Sequence, residues 1–149
     1  MLISSTALKT NAGGYGGLER VCAEEAQGLA ELGHEVTLVA SKGSKAPPKV
    51  ELIETVPSWD SLNPAQQQAY AKSDRLWNGW RAHEEAAYRM YEADISKFDI
   101  VLDMSWSKWS YTSKKDEIIG LCHSMYQYNT PPPREIPMRS EERRVGKRV

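Results

Sequence analysis

With 149 residues, 40% of them hydrophobic and 26% charged, the chain is long enough for one domain with its own core. Its 19 lysines and arginines against 20 aspartates and glutamates exclude a general electrostatic attraction to nucleic acid, and the single basic cluster lies in the last residues. No apolar run approaches the ~20 residues that span a bilayer and no leader resembles a signal peptide, so a cytoplasmic protein is expected.

The first element in chain order is a short apolar strand, Met1-Leu-Ile-Ser-Ser5. The glycine-rich loop Asn11-Ala-Gly-Gly-Tyr-Gly-Gly-Leu-Glu-Arg20 follows and runs into an amphipathic helix. Its apolar positions are Leu18, Val21, Cys22, Leu29 and Leu32, broken by Glu19, Glu24, Glu25 and Glu31, with Gly33 placed to end it. His34-Glu-Val-Thr-Leu-Val-Ala40 reads as the next strand, which completes a βαβ unit with parallel strands.

A glycine loop between a strand and a helix lets a phosphate approach backbone N–H groups at the helix start. Gly14, Gly16 and Gly17 are therefore the candidate ligand contacts, and Arg20, a cation disfavoured by the helix dipole, is a candidate partner for an anion or for Glu19 or Glu24. The loop departs from the dinucleotide fingerprint, since Glu19 stands where the third glycine is needed. The second strand also lacks an acidic residue for the ribose and ends in Ser41 and Lys42, which keeps NADP and an oxidoreductase as an alternative.

Residues 41–49 form a Lys/Ser/Gly/Pro linker, Val50-Glu-Leu-Ile-Glu-Thr-Val56 alternates like a third strand, and residues 57–64 are turn-rich. From residue 65 to about residue 95 the spacing of Leu76, Trp77, Trp80, Tyr88, Tyr91 and Ile95 predicts helix, broken near Ser73 or Gly79. Ile100-Val-Leu-Asp-Met104 and Glu117-Ile-Ile-Gly-Leu121 suit buried parallel strands, joined by residues 105–115, and Pro131-Pro-Pro133 stiffens the exit. The expected fold is α/β, a Rossmann-like open and mainly parallel sheet with helices on both faces. Cys22 and Cys122 are expected to be reduced core residues, and no Cys/His spacing or Asp-x-Asp motif suggests a metal.

Gly14-Tyr-Gly-Gly-Leu-Glu-Arg20, followed by Glu24-Glu-Ala-Gln-Gly-Leu-Ala-Glu-Leu-Gly-His-Glu-Val36, resembles the amino-terminal domain of family 4 glycosyltransferases. These are retaining, nucleotide-sugar-dependent enzymes of the GT-B type, with two Rossmann-like domains across a cleft. Phe98-Asp-Ile-Val-Leu-Asp103 and Ile118-Ile-Gly-Leu-Cys-His123 are similar to the family's later strands, so that the resemblance covers residues 1–133. It implies that residues 1–138 are the amino-terminal half of an enzyme whose missing carboxy-terminal domain holds most of the donor.

On the same resemblance, His123 faces the donor sugar and the reacting centre, and the nucleotide-sugar donor is a substrate that needs no separate cofactor. The acceptor stays unassigned, and peripheral membrane association of the full-length enzyme stays open. Family members usually begin a few residues earlier. Arg139-Ser-Glu-Glu-Arg-Arg-Val-Gly-Lys147 resembles a translated sequencing adapter, so residues 139–149 are expected to be a non-native or disordered tail.

Asp103 is read as a cap for the following helix or as a ligand for an acceptor hydroxyl. Trp106, Trp109 and Tyr111 are read as core or as an acceptor platform. His34 belongs to a tight turn and His83 to a helix. Besides the oxidoreductase, a non-catalytic nucleotide- or sugar-binding module remains an alternative class.

Overall fold

The computed structural model describes residues 1–11, 13–72, 79–113 and 117–120. Five strands, β1 (Leu2–Ile3), β2 (Val36–Lys42), β3 (Val50–Pro57), β4 (Val101–Asp103) and β5 (Ile118–Gly120), form one sheet in the order β3-β2-β1-β4-β5, each pair parallel. Three α-helices, α1 (Gly17–Glu31), α2 (Pro64–Ala71) and α3 (Trp80–Tyr91), accompany them, with 3-10 turns at Trp59–Ser61, Glu92–Lys97 and Trp109–Thr112.

The strand period of two sorts the core into two halves. Leu2, Val36, Leu38, Ala40 and Met104 pack with Cys22, Ala26 and Ala30 of α1. Met1, Ile3, Val39 and Val101 face the other way, onto Tyr88, Tyr91 and Ile95. Helices therefore cover both faces, as a doubly wound sheet requires, and burying a side chain such as Leu38 contributes ~1.5–3 kcal/mol.

The buried stripe of α1 differs from the one the larger apolar residues suggest. Cys22, Ala23, Ala26 and Ala30 lie inside, whereas Leu32 is 78% exposed and Val21 lies at the surface. Small side chains let the helix lie close to the sheet, so proximity rather than side-chain volume selects the inner face. Beyond Leu32 the chain closes in a Schellman arrangement: Gly33 has φ 93°, its N–H donates to Ala30 O, and the His34 N–H donates to Leu29 O.

The linker after β2 carries no helix, although β2 and β3 are parallel. Because Val50 pairs beside Val36, the chain must travel back along β2, ~20 Å, which the steps from Lys42 to Val50 cover at up to ~3.3 Å each without a helix and with room for turns. The helical stretch after β3 divides as well. Asn63 and Gln66 form a reciprocal capping box on α2, with Pro64 in its first turn. Gly79 opens α3 at φ 94°, where a Cβ would meet Ala71 N at 2.5 Å.

Strands β1 and β4 are shorter than the apolar runs that predict them. Leu76, Trp77, Cys122, His123 and the tail 139–149 lie outside the described residues. Burial pushes the Cys22 thiol up to about 12, as expected of a reduced core cysteine. Among the described residues no helix is long and apolar enough to cross a membrane.

Candidate functional site

From β1 the chain passes through α1 to β2 on one side, while β3 connects across to β4 on the other. The loops after β1 and β4 thus diverge from neighbouring strands. In such sheets the crevice beyond the carboxyl ends at this switch point is where ligands bind.

The first part of the loop after β1 is held by hydroxyl groups. Thr10 Oγ1 donates to Ser4 Oγ at 2.7 Å, the Thr10 N–H donates to Ser44 Oγ at 2.9 Å, and Ser41 Oγ donates to Leu8 O at 2.9 Å. Further along, the Trp59 N–H donates to Thr6 O. These bonds tie residues 4–10 to the end of β2 and to the segments following β2 and β3. Ser41 is fully buried in this network, so its hydroxyl is not offered to a ribose phosphate, and the NADP reading loses one of its two residues.

The second part of the loop belongs to glycine. Gly16 has φ 130° and a Cβ there would meet Glu19 Oε2 at 2.8 Å and Leu8 Cδ1 at 3.1 Å. Gly17 is the first residue of α1, and a Cβ on it would have nothing within 4 Å. A Cβ on Gly14 would lie 3.2 Å from Asn11 Cβ. Among the candidate glycines, positive φ is confined to Gly16. No side chain caps the helix start.

Glu19 is buried and accepts from Ser5 Oγ at 2.7 Å, while the Ala7 N–H donates to the same serine oxygen at 3.0 Å. It sits in the first helical turn, where a carboxylate is favoured by the dipole. Arg20 instead points outward and pairs with Glu24 at 2.8 Å. A neighbouring carboxylate thus answers the cation, and the two arms of that pair are more than half exposed.

Beyond β4 the arrangement changes from hydroxyl groups to carboxyl groups. Asp103 Oδ1 accepts from the Ser105 N–H at 2.8 Å and from Ser105 Oγ at 2.6 Å, and Oδ2 accepts from Ser110 Oγ. This corrects the expectation of a helix cap: Asp103 closes a turn on the residue two ahead, and Lys108 occupies the start of the 3-10 turn. Lys108 Nζ donates back to the carbonyls of Asp103 and Ser105.

From α3, Glu84 reaches the same loop. Its Oε1 accepts from the Trp106 N–H at 3.1 Å and its Oε2 from the Ser107 N–H at 2.6 Å. The group is buried, and burial pushes its carboxyl up from the usual range against the pull of those bonds. Its place at i, i+3, i+4 and i+7 spacing with Ala87, Tyr88 and Tyr91 on the buried face of α3 is the signal that could have marked it in the sequence.

The aromatic trio separates. Trp109 is half-buried: it stacks on Tyr88 at 6.4 Å, lies under the Arg81 guanidinium at 4.9 Å and donates from Nε1 to Arg81 O. Tyr111 lies over Gly120, whose missing Cβ leaves room for the phenol. Trp106 is the most exposed of the three, at 38%.

His83 is a satisfied structural histidine. Its Nε2–H donates to Pro57 O at 2.9 Å, which leaves Nδ1 to accept from Thr6 Oγ1–H at 2.9 Å. Burial lowers its pKa and keeps it neutral. A cavity of about 10 Å³, measured by the space open to the centre of a water molecule, lies between the sheet and α3 and is lined in part by Ser4, Thr6, Thr55, Glu84 and Ser105. It holds at most one water. Among the described residues no cluster of histidine, cysteine or acidic side chains could hold a metal ion.

The family model for Glycosyltransferase Family 4 matches residues 15–149. The chain belongs to that family. A search of curated proteins gives no match. With the five-stranded parallel sheet, the match identifies a Rossmann-like domain of glycosyltransferase type.

Proposed function

We propose that the protein transfers a sugar from a nucleotide-diphosphate donor to an acceptor with retention at the anomeric carbon, and that residues 1–138 are the amino-terminal half of the enzyme. The observation that carries this reading is the opening of α1. Gly16 and Gly17 bring bare backbone to an uncapped helix start at the carboxyl edge of the sheet, in a family of glycosyltransferases.

The protein's contribution is to position the two substrates and to stabilise the departing diphosphate. Backbone N–H groups at Gly16 and Gly17 serve near the phosphates, beside Gly14, whose own N–H donates to Asn11 O, and His123 serves near the donor sugar. Arg20, paired with Glu24, adds its charge at the rim. The donor is a substrate, and neither a cofactor nor a metal is required. The enzyme works in the cytoplasm, with the acceptor free or at a membrane surface.

Supplying the full-length protein with a panel of sugar nucleotides tests this. Release of nucleoside diphosphate and an NMR product signal with the donor's anomeric configuration are the expected results. The 149-residue chain alone is expected to transfer nothing. Tight binding of NADP(H), or a full-length protein inert toward every sugar nucleotide, would overturn the assignment.

A further inference from the structure

The loop after β4 is immobilised far beyond what a short connection needs. Two buried carboxyl groups, Asp103 and Glu84, take four hydrogen bonds from Ser105, Trp106 and Ser107, and the Lys108 ammonium ties the loop's carbonyls. Burying carboxyl groups is expensive unless they are fully bonded. A hydrophobic anchor would hold a loop at lower cost, so the arrangement points to a need for fixed orientation.

What is oriented is Trp106. Its backbone N–H is gripped by Glu84 while the residue as a whole stays 38% exposed past the carboxyl end of β4, beside the switch point. Trp109 packs on Tyr88 and Tyr111 lies against Gly120, both half-buried. An indole face is electron-rich and attracts the polarised C–H face of a sugar ring.

We propose that Trp106 is the stacking face of an acceptor subsite for a pyranose ring, held in place by Glu84. This rests on the glycosyltransferase reading and adds to it the chemical class of the acceptor. The side of the cleft formed by this chain then recognises the acceptor ring through an aromatic plane that needs no rearrangement to bind.

The test is a titration of the 149-residue chain, followed by the indole N–H and backbone amide signals in NMR, with methyl glucopyranoside and methyl mannopyranoside up to about 100 mM. Sorbitol, which lacks a flat ring face, and uridine are the controls. Saturable shifts centred on Trp106, Ser105 and Ser107 with a pyranoside and absent with sorbitol are expected. In Trp106→Ala the affinity should fall at least about tenfold, and Trp106→Phe should restore it to within about threefold.

Unperturbed Trp106 signals with every pyranoside, shifts that survive in Trp106→Ala, or a response to uridine alone would each overturn the proposal. Because neither donor nor transfer enters the titration, its failure leaves sugar transfer by the full-length protein a separate question. A Trp106→Ala protein that has lost its fold would show it in amide dispersion, and Trp106→Phe then carries the decision.

Discussion

The glycine stretch 13–17 and the loop 104–108 follow neighbouring strands and are built by opposite means. In the first, side chains are absent at two adjoining positions next to the exposed Tyr15: Gly16 adopts φ 130° and Gly17 faces open space. In the second, buried carboxyl groups hold the backbone and leave one indole outside. One loop offers bare peptide to a close-approaching group, and the other offers a fixed side chain. The difference teaches that the first depends on conformations only glycine adopts cheaply, while the second depends on bonds that any loss of an acceptor would orphan.

The largest test of this contrast is Asp103→Ala. It removes the acceptor for the Ser105 N–H and for two buried hydroxyls, so unfolding free energy should fall by about 3 kcal/mol in chemical denaturation. A loss below about 1 kcal/mol would show that the loop does not depend on its carboxyl anchor.

Gly16 and Gly17 should part company. Gly16→Ala forces a Cβ to within 2.8 Å of Glu19 Oε2 at positive φ and should cost about 2 kcal/mol of stability. Gly17→Val should change stability by no more than about 0.5 kcal/mol. In the full-length enzyme it should nevertheless lower sugar transfer at least about tenfold, because a side chain would stand where a substrate approaches. Unaltered turnover in Gly17→Val would remove the loop from the site.

Acid exposes a further difference. The folded protein keeps His83 neutral by burial, with a pKa below the ordinary 6.5, so the unfolded chain binds this proton first. The stability owed to the neutral ring is complete above pH 6.5 and is lost as pH falls through the folded pKa. Glu84 has the opposite sign: its raised carboxyl pKa contributes stability below the unfolded value of 4.5 that is lost as pH rises through the folded one. The readout is therefore the pH slope of wild type minus that of His83→Gln, which should be positive just below pH 6.5. A difference of zero would mean that the buried ring carries no linkage.

The smallest effect belongs to Arg20→Ala. The Arg20–Glu24 pair is exposed, and its removal should alter stability by less than about 0.5 kcal/mol in thermal unfolding.

Much of the architecture is legible along the chain because it is local or periodic. Alternation in residues 34–40 and 50–56, the glycine after the first helix and the apolar runs near residues 100 and 118 each report a backbone preference or a buried face. Parallel order follows from the βαβ spacing. Gly14, Gly16 and Gly17 are legible as loop glycines, but which of them needs positive φ depends on how the loop packs on Leu8 and Glu19.

Sequence alone determined the α/β class, the positions of the strands and the glycine opening of α1, since these depend on residues close together in the chain. Only the tertiary structure decided the partners of the buried polar groups. Glu84 meets Trp106 and Ser107 across 22 and 23 residues, and His83 meets Thr6 across 77. No periodicity records such a pairing, because a hydrogen bond fixes two atoms in space and leaves the intervening chain free to vary.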